Sequence, residues 1–390
     1  MTVTAPIGAA AAIPLLRQHA PRIERERTLT PEVVAALDDA GALTLSRPER
    51  FGGVEADLGT QFGELCSVAR GDGSAGWVAS LFSVGGFFAG LFDDRAQEEV
   101  FANPNARVAG VFSPTGVLKP VDGGYRLTGR WSWNTGCRHA HWDTLAAIVE
   151  GSGTPPEVRI ALVSMEDLAI EDDWDPSGLA GTGSATVTCE DVFVPAHRTL
   201  LTMDALQERY ASEANRDRPL FRTAFFPFVL VASMGAPVGM AKAAMDVFLE
   251  RLPGRGITYT HHADQSEVAV THLQVAEAAA RTTAAELLSR DLARRLDEAA
   301  AEGRTLTVAE RAAIRGEVAL VVRECRTAVE LRGCQRRVVD PADRADPAHR
   351  ARHARALDPR GAELHDQPRG LRARARGCRP LDAVPVGVRL

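Results

Sequence analysis

The hydrophobic period of this 390-residue chain changes twice, and those two changes limit its architecture more than any single motif. From residue 1 to about 103 the apolar residues recur at helical spacing. Between about Arg107 and Leu200 they alternate, and beyond about Phe225 helical spacing returns. A doubly wound sheet needs helices and strands to alternate along the chain, so segregated runs predict separate helical and sheet modules. The fold class read from this order is α+β: an N-terminal helical domain (1–103), a central antiparallel β-barrel or sandwich domain (104–205) and a C-terminal helical bundle (206–331), followed by a tail (332–390) of different character.

Local signals support the division. Thr30, Pro31 and Glu32 supply an N-cap, a proline in the first turn and an acidic start, and Gly41 closes the run of Val33, Val34 and Leu37. A second helix is expected over 58–70. Residues 74–92, SAGWVASLFSVGGFFAGLF, lack ionisable groups and just reach bilayer-spanning length, but their glycines and serines and the missing basic flank read as a buried helix. Asp122-Gly123-Gly124 is a turn, after which Tyr125, Leu127, Trp131 and Trp133 alternate with Arg126, Thr128, Arg130 and Ser132. Further strands are expected at 144–149, 159–163 and 186–194. Helices are expected over 228–252 and 266–302, and Thr307 with Glu310 forms a capping box opening a helix that reaches Leu331.

Composition removes several function classes. A net charge of -6 provides no general basic field for nucleic acid. The six cysteines (66, 137, 189, 325, 334 and 378) contain no CxxC pair, so free thiols are expected rather than disulfides or a zinc site. The first residues lack a basic segment before their short apolar run, so no signal peptide is read and a cytoplasmic location is expected. The tail is anomalous: residues 332–390 hold fourteen arginines and six prolines but no Phe, Trp, Tyr, Ile, Met or Lys. A disordered basic tail and a phosphate-contacting segment both fit that composition. The favoured reading is translation in a shifted frame of GC-rich DNA beyond Leu331. Resequencing codons 325–340 tests it, and an uninterrupted frame matched by the native C-terminal peptide mass removes it.

The chemistry is concentrated in GRWSWNTGCRHAHW, residues 129–142. On an extended strand Trp131, Trp133 and Thr135 share one parity, which places a hydroxyl beside two indoles. That face suits a flat ring system, although a packed sheet face with a solvent-bonded threonine satisfies the same spacing and is the commoner arrangement. His139 and His141 form an H-x-H with no identifiable third ligand, so no metal site is assigned. Gly181-Thr182-Gly183 is too short for a phosphate loop and opens no helix.

Gly129, Trp133, Thr135 and Trp142 resemble the flavin-binding signature of the acyl-CoA dehydrogenases, in which a Trp and, two residues on, a Thr or Ser contact the isoalloxazine and its N5. SGLAGTGSATVTCEDVFVPAHRTL (177–200) is similar to that family's strand-turn-strand unit, and RPERFGGVEADLGTQFGELCSVARGDGSAGW (47–77) to its N-terminal pattern. Two departures matter: GVFSPTGVLKP (110–120) stands where the dehydrogenases carry a Glu-Pro-Gly-rich loop, and no segment resembles the one bearing their catalytic carboxylate. The resemblance therefore runs closer to the two-component monooxygenases of the same fold. It implies reduced flavin, FADH2 or FMNH2, from a separate flavin reductase, O2, a small-molecule substrate in secondary metabolism such as antibiotic biosynthesis, and a homotetramer or homodimer, with no nucleic-acid or membrane partner. Thr135 becomes the catalytic candidate; Val111, Phe112, Ser113, Trp133, Thr135, Ser184 and Arg255 are the flavin-binding candidates, Arg255 toward a neighbouring subunit's flavin. His261, His262 and His272 are candidates for a substrate-facing base, with surface or helix-capping roles the alternative. Amine or amino-sugar N-oxygenation and acyl-CoA dehydrogenase-like desaturation are the alternative activities.

Overall fold

The computed structural model describes residues 8–257 and 260–333; the anomalous tail lies outside the described residues. Five helices come first: α1 (Ile13–Glu26), α2 (Pro31–Asp39), α3 (Leu58–Gly71), α4 (Gly73–Ala89) and α5 (Asp94–Phe101). Their starts follow the local chemistry. Thr30 accepts from the Val33 N–H, Asp57 from the Thr60 N–H and Asp72 from the Ala75 N–H, each satisfying a donor the helix itself cannot pair. Helix α4, read from sequence as a buried helix, is buried on nearly every face. Its serines are satisfied inside the protein: Ser80 donates to the Gly76 carbonyl at 2.8 Å and Ser83 to Gln61 at 2.6 Å.

The strands are β1 (Val108–Val121), β2 (Gly124–Trp131), β3 (Trp142–Val149), β4 (Val158–Ser164), β5 (Ala169–Ile170), β6 (Val187–Pro195) and β7 (Thr199–Leu201). They form one seven-stranded sheet in the order β5-β6-β2-β1-β3-β4-β7. The expected all-antiparallel module is corrected at one place, because β1 and β3 run parallel. The tight turn after β1 reverses the chain into β2, and residues 132–141 reverse it again, so β3 enters the sheet in the direction of β1. The β1–β3 ladder is interrupted between Val111 and Gly116.

The chain then continues through α6 (Thr202–Leu206), α7 (Phe225–Ala232), α8 (Gly235–Glu250), α9 (Ala269–Ala301) and α10 (Val308–Gly333). The single helix expected over 228–252 is instead two, broken around Ser233 and Met234. Pro237 explains the break: it has no N–H for the Ser233 carbonyl, and its ring crowds that residue. The capping box is observed, with the Thr307 N–H donating to Glu310 at 2.7 Å and the Glu310 N–H to the Thr307 hydroxyl at 3.2 Å. Among the described residues Phe225–Glu250 alone is long and apolar enough to cross a membrane, yet 56% of that window is buried within the protein.

One apolar core joins the helices that precede and follow the sheet, running from Leu58 and Phe88 through Phe228 to Leu292 and Val321. A second, smaller core belongs to the sheet itself and contains Leu127, Trp131, Cys137, Leu145 and Val187. The site lies at the end of that second core.

Candidate functional site, a left-handed corner at the end of β2

Strand β2 stops at Trp131, and the alternation read through Trp133 and Thr135 does not continue. Trp131 is fully buried and donates its indole N–H to the Ala146 carbonyl at 2.8 Å. Its ring lies so close to Gly129 that a Cβ there would stand 2.5 Å from the ring, which explains a glycine in mid-strand. Trp133, by contrast, has φ +67° and is 74% exposed. The three residues therefore do not share one face, a correction to the strand reading. Its cause lies some fifty residues away: the Asn134 N–H donates to Ala185 O at 3.1 Å and the Gly136 N–H to Thr182 O at 3.0 Å, drawing the chain off the sheet ladder. A left-handed tryptophan is strained, and such strain persists only where the surroundings enforce it.

The partner of this corner is the loop at residues 179–185. Leu179 and Gly183 are both left-handed and enclose a short 3-10 turn, Ala180–Thr182. Helix α1 packs directly on that turn, since a Cβ at Gly181 would meet the Ile23 side chain at 2.0 Å. Across the junction the Thr135 and Ser184 hydroxyls are 2.9 Å apart, and those of Ser184 and Thr182 are 2.8 Å apart. The structure thus brings Thr135 and Ser184 together and adds Thr182, which sequence reading took only as part of a turn. Trp133 meets Trp174 edge-on at 5.5 Å. Trp174 is fixed in turn, donating to Ala180 O at 2.9 Å while its own carbonyl accepts from Arg27 at 2.8 Å.

Opposite Thr135, the Asn134 side chain turns inward to Asp143 on β3, 2.5 Å away, and both residues are fully buried. Burial pushes the Asp143 carboxyl up to about 7. Burial also pushes the Cys137 thiol up to about 12 and that of Cys189 on β6 to about 11. His139 and His141 serve two separate structural ties. His139 bonds the Thr28 hydroxyl at 2.9 Å and is pushed down to about 4 by burial and then by Arg107 and Arg138, so its ring is neutral. His141 accepts from the Arg107 N–H at 3.1 Å. No cluster of metal-ligating side chains occurs among the described residues.

The remaining candidates are dispersed. Val111, Phe112 and Ser113 lie at the interruption of the β1–β3 ladder: Val111 faces the sheet core, Phe112 stacks on Phe88 at 4.3 Å, and Ser113 is exposed. Arg255 is exposed on the loop between α8 and α9, where its carbonyl accepts from the Gln265 N–H at 2.8 Å. The rings of His261 and His262 lie 4.2 Å apart, and exposed His272 bonds the Ser266 carbonyl at 2.6 Å, next to the start of α9. These are surface and helix-end roles, and nothing in them suggests a substrate base.

Helices, a sheet and helices in this order are the architecture shared with acyl-CoA dehydrogenase-like flavoproteins. Residues 231–332 match the acyl-CoA dehydrogenase C-terminal domain family. The FADH(2)-dependent resorcinol hydroxylase, oxygenase component, of Rhizobium sp. (strain MTP-10005) is 37% identical over 309 residues, 74% of this chain and 73% of that protein. The flavin-dependent monooxygenase oxygenase subunit HsaA of Rhodococcus jostii (strain RHA1) is 36% identical over 245 residues, 62% of this chain, and the match spans only 63% of that relative's length. The structure of XiaF from Streptomyces sp., in complex with FADH2 and glycerol, superposes with a TM-score of 0.78 at 29% identity, covering 86% of this chain and 85% of that one. The chain belongs to the flavin-dependent monooxygenase oxygenase components built on the acyl-CoA dehydrogenase fold.

Proposed function

We propose that this chain is the oxygenase component of a two-component monooxygenase that takes reduced flavin from a separate reductase and, with O2, hydroxylates an electron-rich aromatic or polycyclic small molecule. The observation that carries the reading is the hydroxyl chain of Thr135, Ser184 and Thr182 beside Trp133. Three hydroxyls in a row possess three hydrogens and make two internal bonds, so one hydrogen remains, and it falls on Thr135 when Thr182 donates to Ser184 and Ser184 to Thr135. Thr135 is 8% exposed and Thr182 2%, which makes Thr135 the end open to a ligand. That donor set fits a flavin edge, and the exposed indole of Trp133 fits its ring.

Reduced flavin would supply the activation of O2 and the delivery of one oxygen atom. The protein's part is to hold and to exclude. Thr135 Oγ1, oriented by Ser184, would hold the flavin by a hydrogen bond, and the Trp133 and Trp174 indoles would form an apolar wall against water. Relatives named as resorcinol hydroxylase, indole-3-acetate monooxygenase and p-hydroxyphenylacetate 3-hydroxylase support an aromatic substrate. A homo-oligomer located in the cytoplasm and serving secondary metabolism completes the proposal. The test supplies a flavin reductase, NADH and O2 with a panel of phenols, polycyclic quinols and amines. A product heavier by one oxygen is expected from the phenols or quinols, and uniform peroxide release without any oxygenated product would refute the reading.

A further inference from the structure

Asp143 is a fully buried acid that the flavin reading leaves without a role. It stands two residues before Leu145 on β3 and so faces the sheet core, among Cys137, Leu145 and Val163 rather than any solvent channel. An ionised carboxylate in such a place needs a cation or several donors. The titratable groups around it are the thiols of Cys137 on the 137–139 turn and Cys189 on β6, both neutral, and no cation acts on it. The donors that act on it are the Asn134 side chain and, to a lesser degree, the Thr144 N–H, and burial outweighs both.

The burial of the pair and its two unpartnered oxygens, rather than the length of the contact, locate the proton. With the Asn134 amide nitrogen toward Asp143, the contact is an N–H donating across 2.5 Å, and Oδ1 of Asn134 and Oδ1 of Asp143 are both buried without partners. Oxygen and nitrogen of an amide are assigned from their bonding network and not seen apart. Turning the amide by half a revolution places its carbonyl oxygen against Asp143 and satisfies it, provided that Asp143 carries the hydrogen; the amide N–H groups then take the place where Oδ1 has no partner.

We propose that Asp143 is a positioning residue: a neutral carboxylic acid that donates its O–H to the side-chain carbonyl of Asn134 and thereby holds the left-handed corner that aims Thr135. The effect on flavin rests on the functional reading above; the protonation itself does not. The corner's other ties run to the segment 174–186, through Trp174, Gly183, Ser184 and Thr186. Trp133 is exposed and strained, and the bonds from the Asn134 and Gly136 N–H groups anchor the backbone on one side only. The acid anchors it from the other side. Loss of that proton removes the donor, leaves two acceptors facing each other and forces the amide to turn back.

The sign of the pH dependence follows. Burial raises the Asp143 carboxyl from the ordinary aspartate range to about 7, so its contribution to stability is complete below that ordinary range and is lost as pH rises through about 7. The experiment compares native protein, Asp143→Asn and Asp143→Ala about two pH units below and above that value. Native minus Asp143→Asn infrared difference spectra should contain the carbonyl stretch of a protonated acid at the lower pH and lose it at the higher. Absence of that band at the lower pH overturns the proposal and requires no flavin. Asp143→Asn supplies an N–H in place of the O–H, so it should keep the native stability seen at low pH and flatten its decline. If Asn is as damaging as Ala, the donor role is wrong. Reduced-flavin binding, read by quenching of tryptophan fluorescence under argon, should weaken on the order of tenfold across the range in native protein and stay constant in Asp143→Asn. Native binding that remains constant while the acid titrates overturns the positioning role. Native protein that binds no reduced flavin at either pH sinks the functional reading instead and leaves the infrared result standing.

Discussion

Thr135 and Asn134 are neighbours in sequence, yet their side chains enter opposite kinds of polar burial. Thr135 joins a row of hydroxyls, each able to donate and accept, so the row is satisfied whichever way its hydrogens point. Asn134 meets a single acid, with one oxygen of each left unpartnered, so the fit of that side depends on its protonation state. One side of the corner tolerates rearrangement and has a hydrogen to spare for a ligand; the other tolerates none and fixes where that hydrogen is offered.

The difference can be attacked in order of force. Trp131→Ala should be the most damaging change, because it empties the seat between Gly116 and Gly129 beneath both sides and costs about 3–5 kcal/mol in urea unfolding. A loss below about 1 kcal/mol would mean that the corner does not lean on that indole. Asn134→Ala comes next, at about 1–3 kcal/mol near neutral pH, since it leaves a buried acid without its partner. Thr135→Ala should cost only about 1 kcal/mol in unfolding yet release more uncoupled peroxide, with modest loss of flavin binding, while Thr135→Ser restores coupling. Unchanged coupling would remove Thr135 from its proposed role. Thr182→Val should have the least effect, under about 1 kcal/mol with coupling intact, because the remaining pair still has a hydrogen to offer. If it uncouples as strongly as Thr135→Ala, the row acts as a unit and the open end is not Thr135 alone.

Much of this was legible in the sequence wherever the cause was local. Thr30 before Pro31 and Thr307 with Glu310 set their helices through bonds three residues long, and the order of periods matched the order of helices, strands and helices along the chain. The break before Gly235 was equally local, written in Pro237, and was overlooked. The corner was not legible by pattern, because Ala185 and Thr182 act on Asn134 and Gly136 from some fifty residues away. Trp133 and Thr135 were singled out through family resemblance, although the strand geometry assumed for them was wrong. Asp143 gave no signal at all. A single acid at the head of an apolar strand reads as the solvent end of that strand, and only the packing of Cys137 and Val163 around it shows otherwise.

The raised thiols have a consequence for the lifetime of such a catalyst. The proposed chemistry releases peroxide whenever oxygen transfer fails, and Cys137 stands two residues from Thr135. Peroxide attacks the thiolate and hardly touches the thiol. A thiol that deprotonates only near pH 12, with its neighbour at about 11, presents almost no thiolate in a cell. The thiols of the sheet core beside the proposed flavin face are thereby resistant to the enzyme's own waste, and inactivation over many turnovers should begin elsewhere.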